Sequence, residues 1–396
     1  MSKSALSRLP VSVWTLGVVS MLMDVSSELI HSLLPLFLVS VLGASTLTVG
    51  VIEGIAEATA MITKLFSGYL SDYVGRRKPL AVLGYGLAAL TKPIFPLASS
   101  LGWIVFARFL DRVGKGIRGA PRDALIADIT PADLRGASFG LRQALDTVGA
   151  VAGPLLAIAA MLWLADNFRL AFWLATVPAF AAVALLILGV REPGDPAGGK
   201  ASHPPLGLAD LRRLPARYWW VVGFAAVMTL SRFSEAFLVL RGQSVHMTTA
   251  WIPLVMVVMN VVYALAALPA GVAADHGHQR ALLVGGLLAL IAADGMLAVA
   301  ASVPQVLAGS AVWGLHMGLT QGLLAALVAE TAPADLRGTA FGFFNLLCGV
   351  ALLLASALAG WLWDIAGPGV TFAASAVFAA IALAGLLGAG RDQAPG

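Results

Sequence analysis

Twelve stretches of this chain are long and apolar enough to cross a bilayer as helices, and that pattern decides what the chain can fold into. They lie at about 12–40, 46–70, 79–99, 102–127, 136–163, 167–190, 218–240, 249–274, 281–301, 304–330, 337–361 and 368–390. Each holds roughly the 20 residues that carry a helix through the hydrocarbon layer. The third and fourth stretches are divided at Ser99-Ser100, and the ninth and tenth at Ser302-Val303-Pro304, where turn chemistry interrupts the apolar run. Composition agrees. Hydrophobic residues make up 59% and charged residues 12%, against about 45–50% and about 25% in soluble domains. The expected fold class is therefore an all-α polytopic membrane protein. A net charge of +4 does not indicate nucleic acid, because the basic residues are not gathered on a polar domain. The single cysteine, Cys348, excludes an intramolecular disulfide framework. No cleavable signal peptide is read, since the first apolar stretch outruns signal length and another follows at once.

An even number of spans puts both ends on one side. The N-terminus (Lys3, Arg8), the 71–78 loop (Arg76, Arg77, Lys78) and the 191–217 segment (Arg191, Lys200, Arg212, Arg213, Arg217) are basic, while the alternate loops hold almost no Lys or Arg. The positive-inside rule makes both termini cytoplasmic, in a bacterial-type inner membrane.

The chain also repeats itself. Pro131-Ala-Asp-Leu-Arg135-Gly136-Ala-Ser-Phe-Gly-Leu141 recurs 202 residues later as Pro333-Ala-Asp-Leu-Arg337-Gly338-Thr-Ala-Phe-Gly-Phe343, with 8 of 11 positions identical. Gly68-Tyr-Leu-Ser-Asp72 has a weaker partner in Gly271-Val-Ala-Ala-Asp275, offset by 203. Two matches at nearly one period mark an internal duplication. Six spans separate the copies, so both keep one orientation. Two parallel six-helix halves are expected, residues 1–190 and 218–396, joined by a Pro- and Gly-rich cytoplasmic linker at 191–217, with a site at the midplane between them.

Charge inside the spans points to function. Arg108, Asp111, Arg112, Lys115, Arg118, Arg122 and Asp123 all lie between Leu101 and Asp128, within a helical arc of roughly 140°. An ionised group at the bilayer centre costs about 2.5–3.5 kcal/mol or more, so these must face protein or a water-filled path. Other helices carry matching stripes: Asp24, Glu28 and His31 on the first, Glu53, Glu57 and Lys64 on the second, Arg142 and Asp146 on the fifth. At about 1.5 Å per residue, Asp24, Glu57, Arg112 and Asp146 fall near the midplane. The second half is poorer, with Arg232 and Glu235, then Asn260, Asp294, His316, Gln321 and Asn345. Part of this set is expected to form structural ion pairs. The surplus of bases at Arg108, Arg112, Lys115 and Arg142 favours an anionic solute group, with Arg112 and Lys115 gripping it together and Arg118 lying nearer the cytoplasmic end. Asp24, Glu28, Glu57 and Asp146 are the candidate proton carriers, because burial raises a carboxyl pKa unless an arginine pulls it down.

These features resemble the major facilitator superfamily. The Gly68-Tyr-Leu-Ser-Asp72-Tyr-Val-Gly75-Arg76-Arg77-Lys78 run is similar to that family's signature loop between helices two and three. Gly149-Ala-Val-Ala-Gly153-Pro154 is similar to the antiporter motif of its drug/proton exporters, and Asp24 before Pro35 resembles their first-helix motif. The exporter fourth-helix motif is distorted. Its arginine falls on Arg108 by one register and on Arg112-Val-Gly-Lys115-Gly116 by another. The resemblance implies a conformational gate. In it Asp72 contacts the start of the eleventh helix, Arg76 pairs with Asp128, and Asp275, Glu330, Arg135 and Arg337 take the corresponding repeat positions. Gly68 and Gly75 are expected to permit close helix contact and a tight turn, and Gly149, Gly153 and Pro154 to bend the fifth helix.

No nucleophile-elbow, P-loop or zinc-protease motif is present, so an enzyme is not expected. The expectation is a monomeric secondary transporter without cofactors. It would use the proton gradient to export a small anionic or zwitterionic solute or drug. Its partners would be that solute, protons and lipid, with no nucleic acid. Three alternatives stay open: an importer or facilitator of an anionic nutrient, a nickel or cobalt exporter using Asp24, Glu28 and His31, and a non-transporting membrane sensor. No resident metal site is expected.

Overall fold

A computed structural model describes residues 8–74, 76–191, 210–320, 322–333 and 336–388. Gly75, the Asp72 side chain and most of the 191–217 linker lie outside the described residues. Every regular element described is helical, as a chain surrounded by lipid requires, because a helix satisfies its own backbone hydrogen bonds. In order they are α1 (Val11–Leu36, continued by a π turn Phe37–Val41), α2 (Thr46–Val74), α3 (Arg77–Thr91, with a further turn Ile94–Leu97), α4 (Leu101–Ile129), α5 (Arg135–Trp163) and α6 (Phe168–Gly189). Then come α7 in two pieces (Ala216–Leu230 and Ala236–Ser244), α8 (Leu254–Asp275), α9 (Gln279–Val299) and α10 in two pieces (Val303–Thr320 and Leu323–Thr331). A single run, Arg337–Gly388, supplies α11 (337–366) and α12 (368–388).

The twelve expected spans are all recovered, and the deviations have local causes. The Arg337–Gly388 run bends at Gly367, whose φ of 81° is left-handed and is followed by Pro368. The two pieces of α10 meet at Gly322, with φ 78°. Among the described residues, length and composition alone qualify eight helical runs as candidate spans, the Arg337–Gly388 run counting as one. At 29 residues each, α2 and α4 are long enough to cross, and α4 carries too many charges to be recognised by hydropathy.

The chain gathers into two compact units. The first is Met1–Leu34 with Thr59–Pro205; the second is Pro35–Ala58 with Leu206–Gly396. The second unit thus takes the end of α1 and the first half of α2 in addition to the residues from Leu206 onward. Its hold on that segment is specific: Asp364 of α11 accepts hydrogen bonds from the backbone N–H groups of Thr46 (3.0 Å) and Leu47 (2.9 Å). A carboxylate at a helix N-terminus satisfies orphan donors and meets the positive end of the helix dipole.

Within the first unit, Leu16, Val19 and Met23 of α1, Ala81, Tyr85 and Ala88 of α3, Leu125 and Ile126 of α4, and Ala179, Ala182 and Leu186 of α6 form one buried core. The outer surface is apolar as well: Trp103, Phe106, Leu162, Trp163, Val177 and Leu188 are exposed. An apolar exterior around helices that also bury charge is the pattern of a lipid-facing bundle.

The duplication is visible in three dimensions. In the first unit the Arg77 Nε donates to Asp128 Oδ2 at 2.6 Å. The 202-residue offset carries Arg77 to Gln279 and Asp128 to Glu330, and Gln279 donates to Glu330 at 3.1 Å. The helix-start to helix-end contact expected of Arg76 is thus made by its neighbour. Arg76 is the extended residue before α3 and is exposed, whereas Arg77 begins the helix and points at the end of α4.

Candidate functional site

The polar side chains of the first unit form two clusters on α1, α3, α4 and α5. The outer one centres on Asp111. Lys92 Nζ donates to Asp111 Oδ1 at 2.8 Å and to Ser27 Oγ at 3.1 Å. Arg108 and Arg112 approach Asp111 Oδ2 at 3.9 and 3.8 Å. The Lys92 side chain is 1% exposed and that of Asp111 4%. One buried carboxylate therefore faces three cations. Lys92 was not among the expected site residues. Its signal, a lone lysine before Pro93 in an otherwise apolar span, is weak without its partner across the helix pair.

The second cluster lies further along α4. Arg118 is buried, with its guanidinium 4.9 Å from the centre of the Tyr85 ring and 3.8 Å from Asp24. The expectation that Arg118 belongs to the far end of α4 is corrected here. Helical side chains lean toward the helix N-terminus, so a long arginine reaches back about a turn from its Cα. Arg122 donates to Ser20 Oγ at 2.6 Å, pairs with Asp123 at 3.0 Å and lies 4.0 Å from Asp146. Arg142 pairs with Asp146 at 3.1 Å, one helical turn away on α5, and with Asp123 at 3.5 Å. Asp146 Oδ1 and Arg118 Nη1 are buried without a hydrogen-bond partner among the described residues.

On α1, His31 Nδ1 stands 3.5 Å from Glu28 Oε2. The Asp24 and Glu28 side chains remain 28% and 22% exposed. Among the described residues no three His, Cys, Asp or Glu side chains converge as metal ligands; Asp24 turns to Arg118 and Glu28 to His31.

Lys115 differs from its neighbours on α4. It is exposed and has no ion-pair partner among the described residues. Arg112, 2% exposed, is buried against Asp111. The two residues expected to grip one anionic group therefore differ in placement: Arg112 is held inside the bundle and Lys115 is exposed.

Helix packing puts the acids where they are. A Cβ on Gly149 would come within 2.7 Å of the Met21 carbonyl oxygen and 2.9 Å of Asp24 Cβ; one on Gly153 would come within 2.7 Å of Glu28 Cβ. These two glycines bring α5 onto α1 at the two residues that carry the carboxylates. The helix runs unbroken through Pro154, so the motif acts here by close approach. Gly68 plays no such part, since a Cβ there would meet only Ala120 at an ordinary 3.5 Å.

Of the remaining candidates, Glu57 lies in the α2 segment grouped with the second unit, where neighbouring Glu53 is fully buried. Arg232 and Glu235 lie in the non-helical break of α7. Arg135 and Arg337 open α5 and α11 at matching, exposed positions, and Asp275 and Glu330 lie exposed near the ends of α8 and α10.

The Major Facilitator Superfamily model matches residues 16–253 and 229–395. The chain is 34% identical over 378 residues to an uncharacterised MFS-type transporter, MJ1317, of Methanocaldococcus jannaschii, covering 93% of this chain and 92% of that protein. It is 25% identical to the inner membrane transport protein YajR of Escherichia coli, covering 93% and 81%. Among solved structures, the nucleoside transporter NupG matches with a TM-score of 0.81 at 11% identity, covering 95% of this chain and 99% of that one. An inward-facing bacterial homologue of the human lysosomal transporter Spinster matches with a TM-score of 0.77 at 17% identity, covering 99% and 98%.

Proposed function

This chain belongs to the Major Facilitator Superfamily and is an integral membrane transporter, and on that premise we propose that it exports a small anionic or zwitterionic organic solute in exchange for protons. The observation that carries the reading is the charge balance of the first unit. Of the charges in that unit away from the ends of the expected spans, Lys64, Lys92, Arg108, Arg112, Lys115, Arg118, Arg122 and Arg142 outnumber Asp24, Glu28, Asp111, Asp123 and Asp146 by three. Most of these groups are locked into the two clusters. Lys115 stands out as exposed and without an ion-pair partner among the described residues. A cation near the middle of a bilayer is stabilised by an anionic partner. A solute carboxylate or phosphate supplies one, and the ammonium meets it as a compact point charge.

Asp24, Glu28 and Asp146 supply the counter-movement. Asp24 and Glu28 are partly exposed and Asp146 carries a free oxygen, so each can take a proton. The cationic group of a zwitterionic solute would compete with that proton for the carboxylates, which is the requirement for exchange. The basic loops and the inner-membrane placement of the Escherichia coli relative support an inner membrane with both termini cytoplasmic.

The test is uptake into inverted vesicles of a panel of anionic, zwitterionic and cationic solutes under an imposed proton gradient. Accumulation of an anionic or zwitterionic solute that collapses with a protonophore and falls at least tenfold in Lys115→Gln fits the proposal. Accumulation insensitive to the protonophore, or a purely cationic solute, rejects it.

A further inference from the structure

The second unit holds a buried acid that none of the readings above uses. Asp294, on α9, is 0% exposed. Its Oδ2 is 2.5 Å from the Ser375 hydroxyl of α12, and its Oδ1 has no hydrogen-bond partner among the described residues. The packed elements offer Arg232, Glu235 and Arg241 of α7, Tyr263 of α8, His316 of α10 and Cys348 of α11. None of them forms an ion pair with Asp294. Arg241 spends its guanidinium on the Leu297 and Ala300 carbonyls, and His316 Nδ1 faces the Gly286 carbonyl at 2.8 Å. An ionised carboxylate in such a place would be an unpaired buried charge.

Counting hydrogens reaches the same conclusion by a separate route. The Ser375 hydroxyl also lies 2.6 Å from the Ser231 carbonyl oxygen. A carbonyl can only accept, and a hydroxyl has one hydrogen to give. Were Asp294 ionised, two acceptors would compete for that hydrogen, leaving one short oxygen–oxygen contact with nothing between. Both contacts are satisfied only when Asp294 carries the second hydrogen: the carboxylic acid donates to Ser375, and Ser375 donates to Ser231.

Ser231 is buried and lies where the helix stops. It ends the first piece of α7, and residues 231–235 form the non-helical break before Ala236. Inside a membrane every freed backbone group needs a partner. Serines of the α11–α12 run supply two: Ser375 to the Ser231 carbonyl, and Ser356 to the Ser234 N–H at 3.1 Å.

We propose that Asp294 is a proton-binding site of the second unit, and that its proton holds the α7 break in place through Ser375. When the proton leaves to water, the Ser375 hydrogen turns to the carboxylate and the Ser231 carbonyl loses its donor. No bond other than the acid O–H is broken. The break, which carries Arg232 and Glu235, is then free to rearrange. This inference does not depend on the proton role given to the first-unit carboxylates.

Infrared difference spectroscopy of the full-length protein in nanodiscs tests it. At neutral pH the wild type shows the C=O stretch of a protonated carboxylic acid, and Asp294→Asn removes that contribution. Ser375→Ala, which keeps the acid, shifts the band as its hydrogen bond is lost. Hydrogen exchange reads the second step: amides of 231–235 exchange faster once the band disappears at alkaline pH, and at every pH in Ser375→Ala. A neutral-pH spectrum unaltered by both substitutions overturns the protonated acid. Unchanged exchange in Ser375→Ala overturns the link to α7. Both outcomes are independent of whether a protonophore affects transport.

Discussion

Asp111 and Lys92 form the most deeply buried ion pair of the first unit, and the geometry predicts an asymmetry between them. Lys92 has one acid, at 2.8 Å, and one hydroxyl, at 3.1 Å. Asp111 has three cations within 4 Å: Lys92, Arg108 and Arg112. Lys92→Met keeps most of the volume and leaves Asp111 beside two guanidinium groups. The loss is one charge-assisted hydrogen bond, about 1.5–3 kcal/mol, partly offset because the lysine no longer has to be desolvated. A net cost of about 1–2 kcal/mol follows. Asp111→Asn leaves three buried cations without their shared anion, the situation in which breaking a buried pair costs about 3–5 kcal/mol. Reversible unfolding of both variants in mixed micelles, at one detergent composition, measures the difference. Asp111→Asn should be the less stable by about 2 kcal/mol or more. Equal stabilities, or Lys92→Met as the worse of the two, would refute the claim that Asp111 is the hub, and the charge argument for the outer cluster with it.

Gly153→Ala should cost about 1–3 kcal/mol by overpacking against Glu28 and slow transport, whereas Gly86→Ala, where a Cβ meets nothing within 4 Å, should be silent; equal melting of the two proteins speaks against close approach at α1–α5. Arg77→Gln should lower turnover more than Arg76→Gln, because Arg77 holds Asp128; the reverse order in a transport assay restores the sequence expectation. Asp364→Ala removes the acceptor for Thr46 and Leu47 and should cost about 1 kcal/mol, the usual loss of a helix cap, together with faster amide exchange at the start of α2. Cysteines placed in 191–217 on a Cys348→Ala background should react with impermeant thiol reagents only from the inner side, and labelling from outside intact cells would reverse the topology.

The one-dimensional pattern was enough for the number of helices, their order and the duplication. Each follows from a local rule: a run of about 20 apolar residues crosses a bilayer, and a repeated segment folds twice into the same contact, as Arg77–Asp128 and Gln279–Glu330 do. The charged faces of α1, α4 and α5 were legible for the same reason, since helical periodicity places residues on a face without knowledge of the neighbours. Partners were not legible. Lys92 and Asp111, nineteen residues apart, meet only because α3 and α4 pack together. Arg118 meets Asp24 because a long side chain leans back along its own helix and α1 lies beside it. Asp294 looked like a stray polar residue in the poorer half, yet the fold gives it a hydroxyl that must also serve the Ser231 carbonyl, and that pairing sets its protonation. Sequence decides which groups must be sheltered from lipid; tertiary packing chooses which of them neutralise one another and which, like Lys115, stay exposed without an ion-pair partner among the described residues.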